Sequence, residues 1–352
     1  MNKIKFDLDD VALVPAFQSD IESRQDCDPI AFPPHYGYFD KGFLPLITAP
    51  MDTVVDDKNW LEYIGNGINV CMPRNKEIND TFIDNIYTNV VFHSVGLREF
   101  EVMMIDHDEF LERYAAICLD IANGHMSKIS TIIEKYQSMF PRNKLIVGNI
   151  ANPDTYKILA KSGAYAVRLG VGMGNACTTA ANIGVYYPMG SLITECREIK
   201  DYNGYETKII ADGGMKGYSD VIRALALGSD QIMIGSLFNK ALESSGQDYF
   251  MKFKINRQIA DSFYKMRFPI TKKFRGMSTK EVQREWGKSK IKTSEGVIRY
   301  RKVEYTLSQW VENFTDYLRS AMSYCGAKNL DEFIGKVDYI QITENSRKRF
   351  QK

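Results

Sequence analysis

Eight short apolar runs, rich in β-branched side chains, recur along the chain: Leu44–Ala49, Ile68–Met72, Val90–Val95, Ala115–Ile121, Leu145–Ile150, Ala164–Leu169, Lys208–Ala211 and Gln231–Ile234. Between them lie segments whose apolar residues follow helical spacing, among them Lys58–Ile64, Phe82–Tyr87, Ser127–Met139, Pro153–Lys161 and Asp220–Leu227. Strands separated by helices of this length form parallel βαβ units. Eight such units predict a closed (β/α)8 TIM barrel rather than an open doubly wound sheet. Residues 1–352 then read as one barrel domain. An Asp- and Pro-rich arm, 1–43, caps it, and a polar, basic insertion, 247–303, follows the eighth strand. Leu307–Cys325 reads as the last barrel helix and Glu344–Lys352 as a loose tail.

In such a barrel the residues just after each strand build the functional face. Here they are Pro50–Thr53, Asp120–His125, Gly148-Asn149, Gly170–Thr179, Asp212-Gly213-Gly214 and Gly235-Ser236. The stretch Arg168–Thr179 stands out. Gly170, Gly172 and Gly174 alternate, and Cys177, Thr178 and Thr179 follow directly. A glycine turn exposing backbone groups beside a thiol reads as an active-site loop; a buried cysteine in a glycine loop is the other reading. The loops after strands seven and eight suit phosphate, and the Asp212 carboxylate suits a ribose diol or, alternatively, a helix N-cap. The insertion carries Lys272, Lys273, Lys288, Lys290 and Lys292 together with Arg275–Ser278 and Thr293–Gly296. It reads as a lid over the substrate, or else as a solvated excursion. His125, after Asn123-Gly124, reads as a helix-start residue, or else as one that reaches the site.

Composition narrows the partners. With 25% charged residues and a net charge of +1, neither a nucleic-acid nor a membrane surface is expected, and association is favoured. No apolar run reaches transmembrane length, and the N-terminal residues lack an apolar signal region. Six scattered cysteines without a CxxC pattern indicate reduced thiols and a cytoplasmic setting. Four histidines without ligand spacing give no zinc site.

Several motifs, each in its place, resemble the IMP dehydrogenase/GMP reductase family across nearly the whole chain. They are Asp9–Pro15 with Ser19–Arg24, Ala49–Val54, Gly148-Asn149, Gly172–Thr179, Ala211–Gly214 and Ile234–Ser236. Within that family, Cys118–Gly124, Gly276–Ser278 and Ser294–Gly296 look like the reductase branch. The Arg-Tyr pair of a dehydrogenase lid lacks a counterpart in place, since Arg299-Tyr300 lies beyond Glu295. Only Pro73–Asn89 fills the interval where most dehydrogenases insert a CBS module.

The resemblance implies NADPH-dependent reductive deamination of GMP to IMP and ammonia through a covalent Cys177 thioimidate. Cys177, Thr179 and Glu295 would be catalytic. Met51, Asn175, Asp212, Gly213, Gly214, Gly235, Ser236, Gly276, Met277 and Ser278 would bind the purine nucleotide. Asp120, Ala122, Asn149 and Ser294 would face the cofactor. The carbonyls of Gly172, Gly174 and Cys177 would hold potassium or another monovalent cation. A homotetramer is implied as well. No Gly-x-Gly-x-x-Gly follows the first strand, so the nicotinamide would bind on barrel loops.

Three positions depart from the family pattern: Asn175 where serine is usual, Ala180-Ala181 where basic residues are usual, and Lys292 where arginine is usual. They admit a deoxy or modified purine nucleotide as substrate. An IMP dehydrogenase without the CBS module, converting IMP to XMP with NAD, is the rival enzyme. A catalytically silent nucleotide binder is the rival of another class.

Overall fold

The computed structural model describes residues 4–32, 42–74, 90–106, 111, 115–287, 291 and 293–350. Eight parallel strands form its centre: β1 (Leu46–Thr48), β2 (Val70–Met72), β3 (Val91–Val95), β4 (Ala116–Asp120), β5 (Lys144–Ile150), β6 (Ala166–Leu169), β7 (Lys208–Asp212) and β8 (Gln231–Ile234). Each pairs with its sequence neighbour, and β1 pairs with β8 through Leu46↔Ile232 and Thr48↔Ile234. The last seam, between β1 and β2, is held by the Thr48 amide on the Asn69 carbonyl at 3.0 Å and the Asn69 amide on the Leu46 carbonyl at 3.1 Å. The sheet is a TIM barrel, and each of the eight apolar runs matches one of its strands to within two residues at either end.

The pleat divides each strand between two cores. Ile47, Cys71, Phe92, Cys118, Ile146, Ile210 and Met233 fill the barrel lumen, where Cys71 and Cys118 pack as free buried thiols. Their neighbours, such as Leu46, Val70, Leu119 and Val167, face the outer helices. Those helices include Trp60–Gly65, Leu97–Asp106, Lys128–Met139, Pro153–Lys161, Met189–Asn203, Tyr218–Ala226 and Leu307–Cys325. Leu97–Asp106 and Met189–Asn203 were not legible as helices. In the second, buried Gly190 and Ser191 interrupt the apolar stripe where Phe6 of the arm lies on the helix. The expected helix Phe82–Tyr87 lies outside the described residues.

The two ends of the chain clasp each other. Val11–Leu13 pairs antiparallel with Tyr339–Gln341, and the Phe6 and Tyr339 rings meet at 5.9 Å. The tail is therefore not loose: after that strand it is helical over Glu344–Phe350, and Arg347 reaches Asp10 at 3.6 Å.

Beyond β8 the insertion folds into a four-stranded antiparallel sheet of β9 (Asp248–Phe250), β10 (Phe253–Ile255), β11 (Thr271–Arg275) and β12 (Ile298–Lys302), in the order β10-β9-β11-β12. Its basic composition hides a small core of Leu242, Ala260, Ile270 and Val303 beside the packed rings of Phe250, Phe263 and Phe268. Lys272 is fully buried at the root. Its ammonium donates to the Ser244 carbonyl at 2.7 Å and sits 3.0 Å from Asp248, while burial pushes its pKa down to about 8.

Candidate active site

A cavity of about 490 Å3 opens at the C-terminal ends of the strands, under the turn that follows β11 and the segment that precedes β12. It is lined by Cys177, Thr179 and Glu295, by Met51, Asn175, Asp212, Gly213, Gly214, Gly235, Ser236, Gly276, Met277 and Ser278, by Asp120, Ala122 and Asn149, and by Gly172 and Gly174. One sequence candidate does not reach it. The Ser294 hydroxyl donates to the Gly296 carbonyl at 2.8 Å and accepts the Gly296 amide at 3.3 Å, so it shapes the turn around Glu295 instead. Lys292 lies outside the described residues.

The cysteine loop begins where β6 ends and turns back on itself. Gly172 has φ +74°, and a Cβ there would sit 2.5 Å from the Ala180 amide nitrogen, so no other residue fits. The Cys177 amide closes the turn on the Gly174 carbonyl at 2.8 Å. The insertion then docks on this loop by backbone pairing: the Thr178 amide donates to the Glu295 carbonyl at 2.8 Å and the Val297 amide to the Ala176 carbonyl at 3.0 Å. A Cβ on Gly276 would lie 2.7 Å from that same Ala176 oxygen. Glycine therefore lets three segments stack within van der Waals contact.

That docking aligns the chemistry. The half-buried Cys177 thiol donates to the Thr179 hydroxyl at 3.1 Å, and the Thr179 hydroxyl donates to Glu295 Oε2 at 2.5 Å. A hydrogen-bond chain thus runs from the sulfur to a carboxylate that is 118 positions later in the chain (295 − 177).

A second network crosses the floor. Arg168, only 4% exposed, donates through Nη1 to Asp120 Oδ1 at 2.7 Å and through Nη2 to Asp212 Oδ2 at 2.8 Å. Burial alone would lower its pKa, but the Asp212 and Asp120 carboxylates outweigh burial and hold the guanidinium charged. Asn149 Nδ2 also donates to Asp212 Oδ2, at 2.8 Å, and to the Gly170 carbonyl at 2.9 Å. On the far side Arg74 Nε lies 3.2 Å from Asp120 Oδ2, and its guanidinium sits over the Trp286 ring at 5.7 Å. Sequence reading missed Arg74, Arg168 and Trp286 as cavity residues. Arg74 stands two residues beyond β2 and was open to the strand-end rule, whereas Arg168 points inward from within a strand.

Three smaller expectations resolve here. Asp212 is not an N-cap, because the following helix is capped at Gly217. His125 does not start its helix either, since Ser127 occupies the N-cap. Its Nε2 accepts the Ala151 amide at 3.0 Å and its Nδ1 meets Asn123 Oδ1 at 3.0 Å, which ties the β4 loop to the β5 loop. Asn175, at the position where serine was expected, donates to the Ser236 hydroxyl at 2.8 Å and joins the loops after β6 and β8.

A sequence model described as the IMP dehydrogenase / GMP reductase domain matches residues 94–350. The chain belongs to the IMP dehydrogenase/GMP reductase family. It is 32% identical over 254 residues to an inosine-5′-monophosphate dehydrogenase of Chlorobaculum parvum, covering 71% of this chain and 49% of that one. To a GMP reductase of Onchocerca volvulus it is 30% identical over 243 residues, covering 66% and 60%. To a GMP reductase of Exiguobacterium it is 29% identical over 353 aligned positions, covering 97% of both chains. The match thus spans about half of the dehydrogenase's length and nearly all of the Exiguobacterium protein. Members of the IMP dehydrogenase/GMP reductase family are oxidoreductases that pair a purine nucleotide with a nicotinamide cofactor. A cavity rich in backbone donors, with a thiol at one wall and carboxylates on the floor, is consistent with both. No helix among the described residues is long and apolar enough to cross a membrane.

Proposed function

We propose that this protein is a GMP reductase, and the observation that carries the reading is the unbroken Cys177–Thr179–Glu295 hydrogen-bond chain. Cys177 gives up its proton along that chain, and its sulfur bonds to carbon 2 of GMP. The bond from carbon 2 to the amino nitrogen breaks, Glu295 returns a proton through Thr179, and ammonia leaves a thioimidate. Bound NADPH supplies the hydride that carbon 2 then takes up. The carbon–sulfur bond breaks, Cys177 regains its electron pair, and IMP is released.

The remaining residues position and exclude. Gly213, Gly214, Gly235 and Ser236, bridged by Asn175, present donors for the phosphate, and Asp212 meets the ribose. Met277 and Ser278 meet the purine edge. Asp120, Ala122 and Asn149 face the nicotinamide, with Arg74 and Trp286 on the same side of the cavity. Residues 247–303 act as the lid that keeps water from the thioimidate. The carbonyls of Gly172, Gly174 and Cys177 are hard oxygen donors of the type a potassium ion takes, and Gly174 already spends one lone pair on the Cys177 amide. A cytoplasmic homotetramer belongs to the same proposal.

The dehydrogenase reading needs an Arg-Tyr pair at the reacting carbon. Arg299 and Tyr300 lie on β12, and Tyr300 packs edge-on against Tyr249 at 5.2 Å, 60% exposed. Among the described residues no tyrosine lines the cavity. The deciding test is incubation with GMP, NADPH and potassium. Consumption of NADPH with matching IMP and ammonia, lost in Cys177→Ala, supports the reductase. NADH and XMP from IMP and NAD would instead assign the dehydrogenase.

A further inference from the structure

The turn between β9 and β10 carries side chains that reversing the chain does not require. Phe250 pairs with Phe253, so Met251 and Lys252 are the two central residues, at φ +45° and +75°. A two-residue turn of that hand is ordinarily Asn-Gly, because a bulkier side chain is strained there. Arg267, at φ +62°, likewise ends the helix Arg257–Lys265 in a position where glycine is usual. Among the described residues these three are the non-glycine residues with positive φ. Strain of this kind points to side chains kept for what they do.

What the two turns present is apolar and basic in alternation. Met251 and Phe253 are 74% and 76% exposed, and Met266 and Phe268 are exposed as well. Between and beside them stand exposed Lys252, Lys254, Lys265 and Arg267. Asp261, the one acid of residues 251–269, lies 2.9 Å from Arg257, so the four cations have no counter-charge within this stretch. The turns are neighbours: the Phe250 and Phe268 rings meet at 5.8 Å, and Phe263 packs edge-on against them at 4.8 Å and 5.5 Å. Behind these rings, Ala260 and Phe263 of the helix join the small core of Leu242, Ile270 and Val303. The mount is packed while its apolar tips stand in water. None of the exposed tip side chains lines the cavity, so the patch is separate from the candidate active site.

Shape and charge together select the occupant. A protein partner would need a pocket fitted to side chains that project from two turns, with acids placed against four cations. A bilayer containing anionic lipid meets both demands without a fitted pocket. Acyl chains take up the Met and Phe side chains, while Lys and Arg reach the headgroups on their long stems. Each cation near such a surface strengthens partitioning by about fivefold, and the apolar and electrostatic signals together make surface binding stable. The whole-chain net charge of +1 averages over this local surplus. We propose that the turns Met251–Phe253 and Met266–Phe268 form a docking surface for an anionic lipid bilayer. The proposal is independent of which reaction the cavity performs.

The test is cosedimentation of the full chain with vesicles of phosphatidylcholine and phosphatidylglycerol in equal parts, beside vesicles of phosphatidylcholine alone. Binding to the mixed vesicles is expected, weaker by about tenfold or more on the neutral ones and weakened by added salt. Met251→Ser with Phe253→Ser removes the apolar tip and should weaken binding by about tenfold or more. Lys252→Glu with Lys254→Glu reverses two charges and should weaken it by about a hundredfold. Thermal melting like that of the wild type separates these effects from unfolding. No binding to the mixed vesicles, or binding that neither double variant alters, overturns the proposal. Concentration-dependent self-association that both variants disperse, read by sedimentation velocity, would also overturn it and assign the patch to a second copy of this chain.

Discussion

Thr179 donates its hydroxyl proton to Glu295 at 2.5 Å, and the Glu295 main chain is pinned to the neighbouring Thr178 at 2.8 Å. The side-chain contact is therefore not left to the rotamer of a mobile segment. Backbone pairing between the insertion and the cysteine loop sets it, so in the proposed mechanism proton transfer would depend on that pairing. Glu295→Gln keeps the shape and the pairing but removes the carboxylate. The expected outcome is a kcat for GMP reduction lower by a factor of about 10²–10⁴, the usual worth of a positioned acid–base group, with KM little changed. Steady-state kinetics check it. A variant that retains most of the wild-type kcat would place the proton donor elsewhere.

Arg168 is an ion inside a barrel lumen otherwise filled with Ile47, Phe92, Ile146 and Met233. Its two carboxylate partners make that tolerable, and each of them depends on it in turn. Arg168→Met fills similar volume yet leaves Asp120 and Asp212 facing each other without the intervening cation. Removing one member of a buried ion network costs about 3–5 kcal/mol. Urea unfolding followed by circular dichroism is expected to show a loss of that order. A change below about 1 kcal/mol would mean that water screens the network, as at an exposed pair.

What the sequence disclosed follows from how local each signal is. The barrel was legible because each strand is a short apolar run whose burial is decided by its own residues. The cavity candidates on the barrel loops were legible because strand ends converge in any such barrel, whereas Gly276–Ser278 and Glu295 came from the family resemblance. Arg168 escaped because its importance comes from Asp120 on β4 and Asp212 on β7, two strands that only sheet formation brings close to β6. Ser294 misled for the opposite reason: proximity in sequence to Glu295 says nothing of which way a hydroxyl turns, and this one turns to Gly296. The insertion's composition concealed a sheet because its lysines are partly structural, with Lys272 buried at the root.

His125 gives the pH dependence a sign. Its Nε2 accepts a hydrogen bond from the Ala151 amide, so the neutral ring is the one that ties the two loops. Burial lowers its pKa below the usual 6.5, so the folded protein binds this proton less readily than the unfolded chain. The stabilisation is fully present above pH 6.5 and is lost as pH falls through the lower folded value. Thermal melts from pH 8 to pH 5 are expected to fall more steeply for the wild type than for His125→Gln. Superimposable curves would show that the ring contributes nothing.

The final prediction concerns water. Arg275 is 8% exposed and clamps the start of the turn after β11 to the barrel: Nη1 donates to Glu285 at 2.7 Å, Nε reaches Asp52 Oδ1 at 3.3 Å, and Asp52 follows Met51 in the β1 loop. The adjacent Gly276 amide donates to the Val297 carbonyl at 3.2 Å, and Val297 in turn holds the cysteine loop. Arg275 thus acts on the insertion through the same backbone seam that places Glu295. Arg275→Ala is expected to loosen that seam without touching Cys177, so thioimidate still forms but meets water. Hydrolysis at carbon 2 returns the thiol and releases XMP in place of IMP. Chromatography of a GMP reaction run without NADPH reads this directly: XMP and ammonia should appear with the variant and stay near background with the wild type. If the variant makes no XMP while still reducing GMP to IMP, exclusion of water does not depend on this clamp.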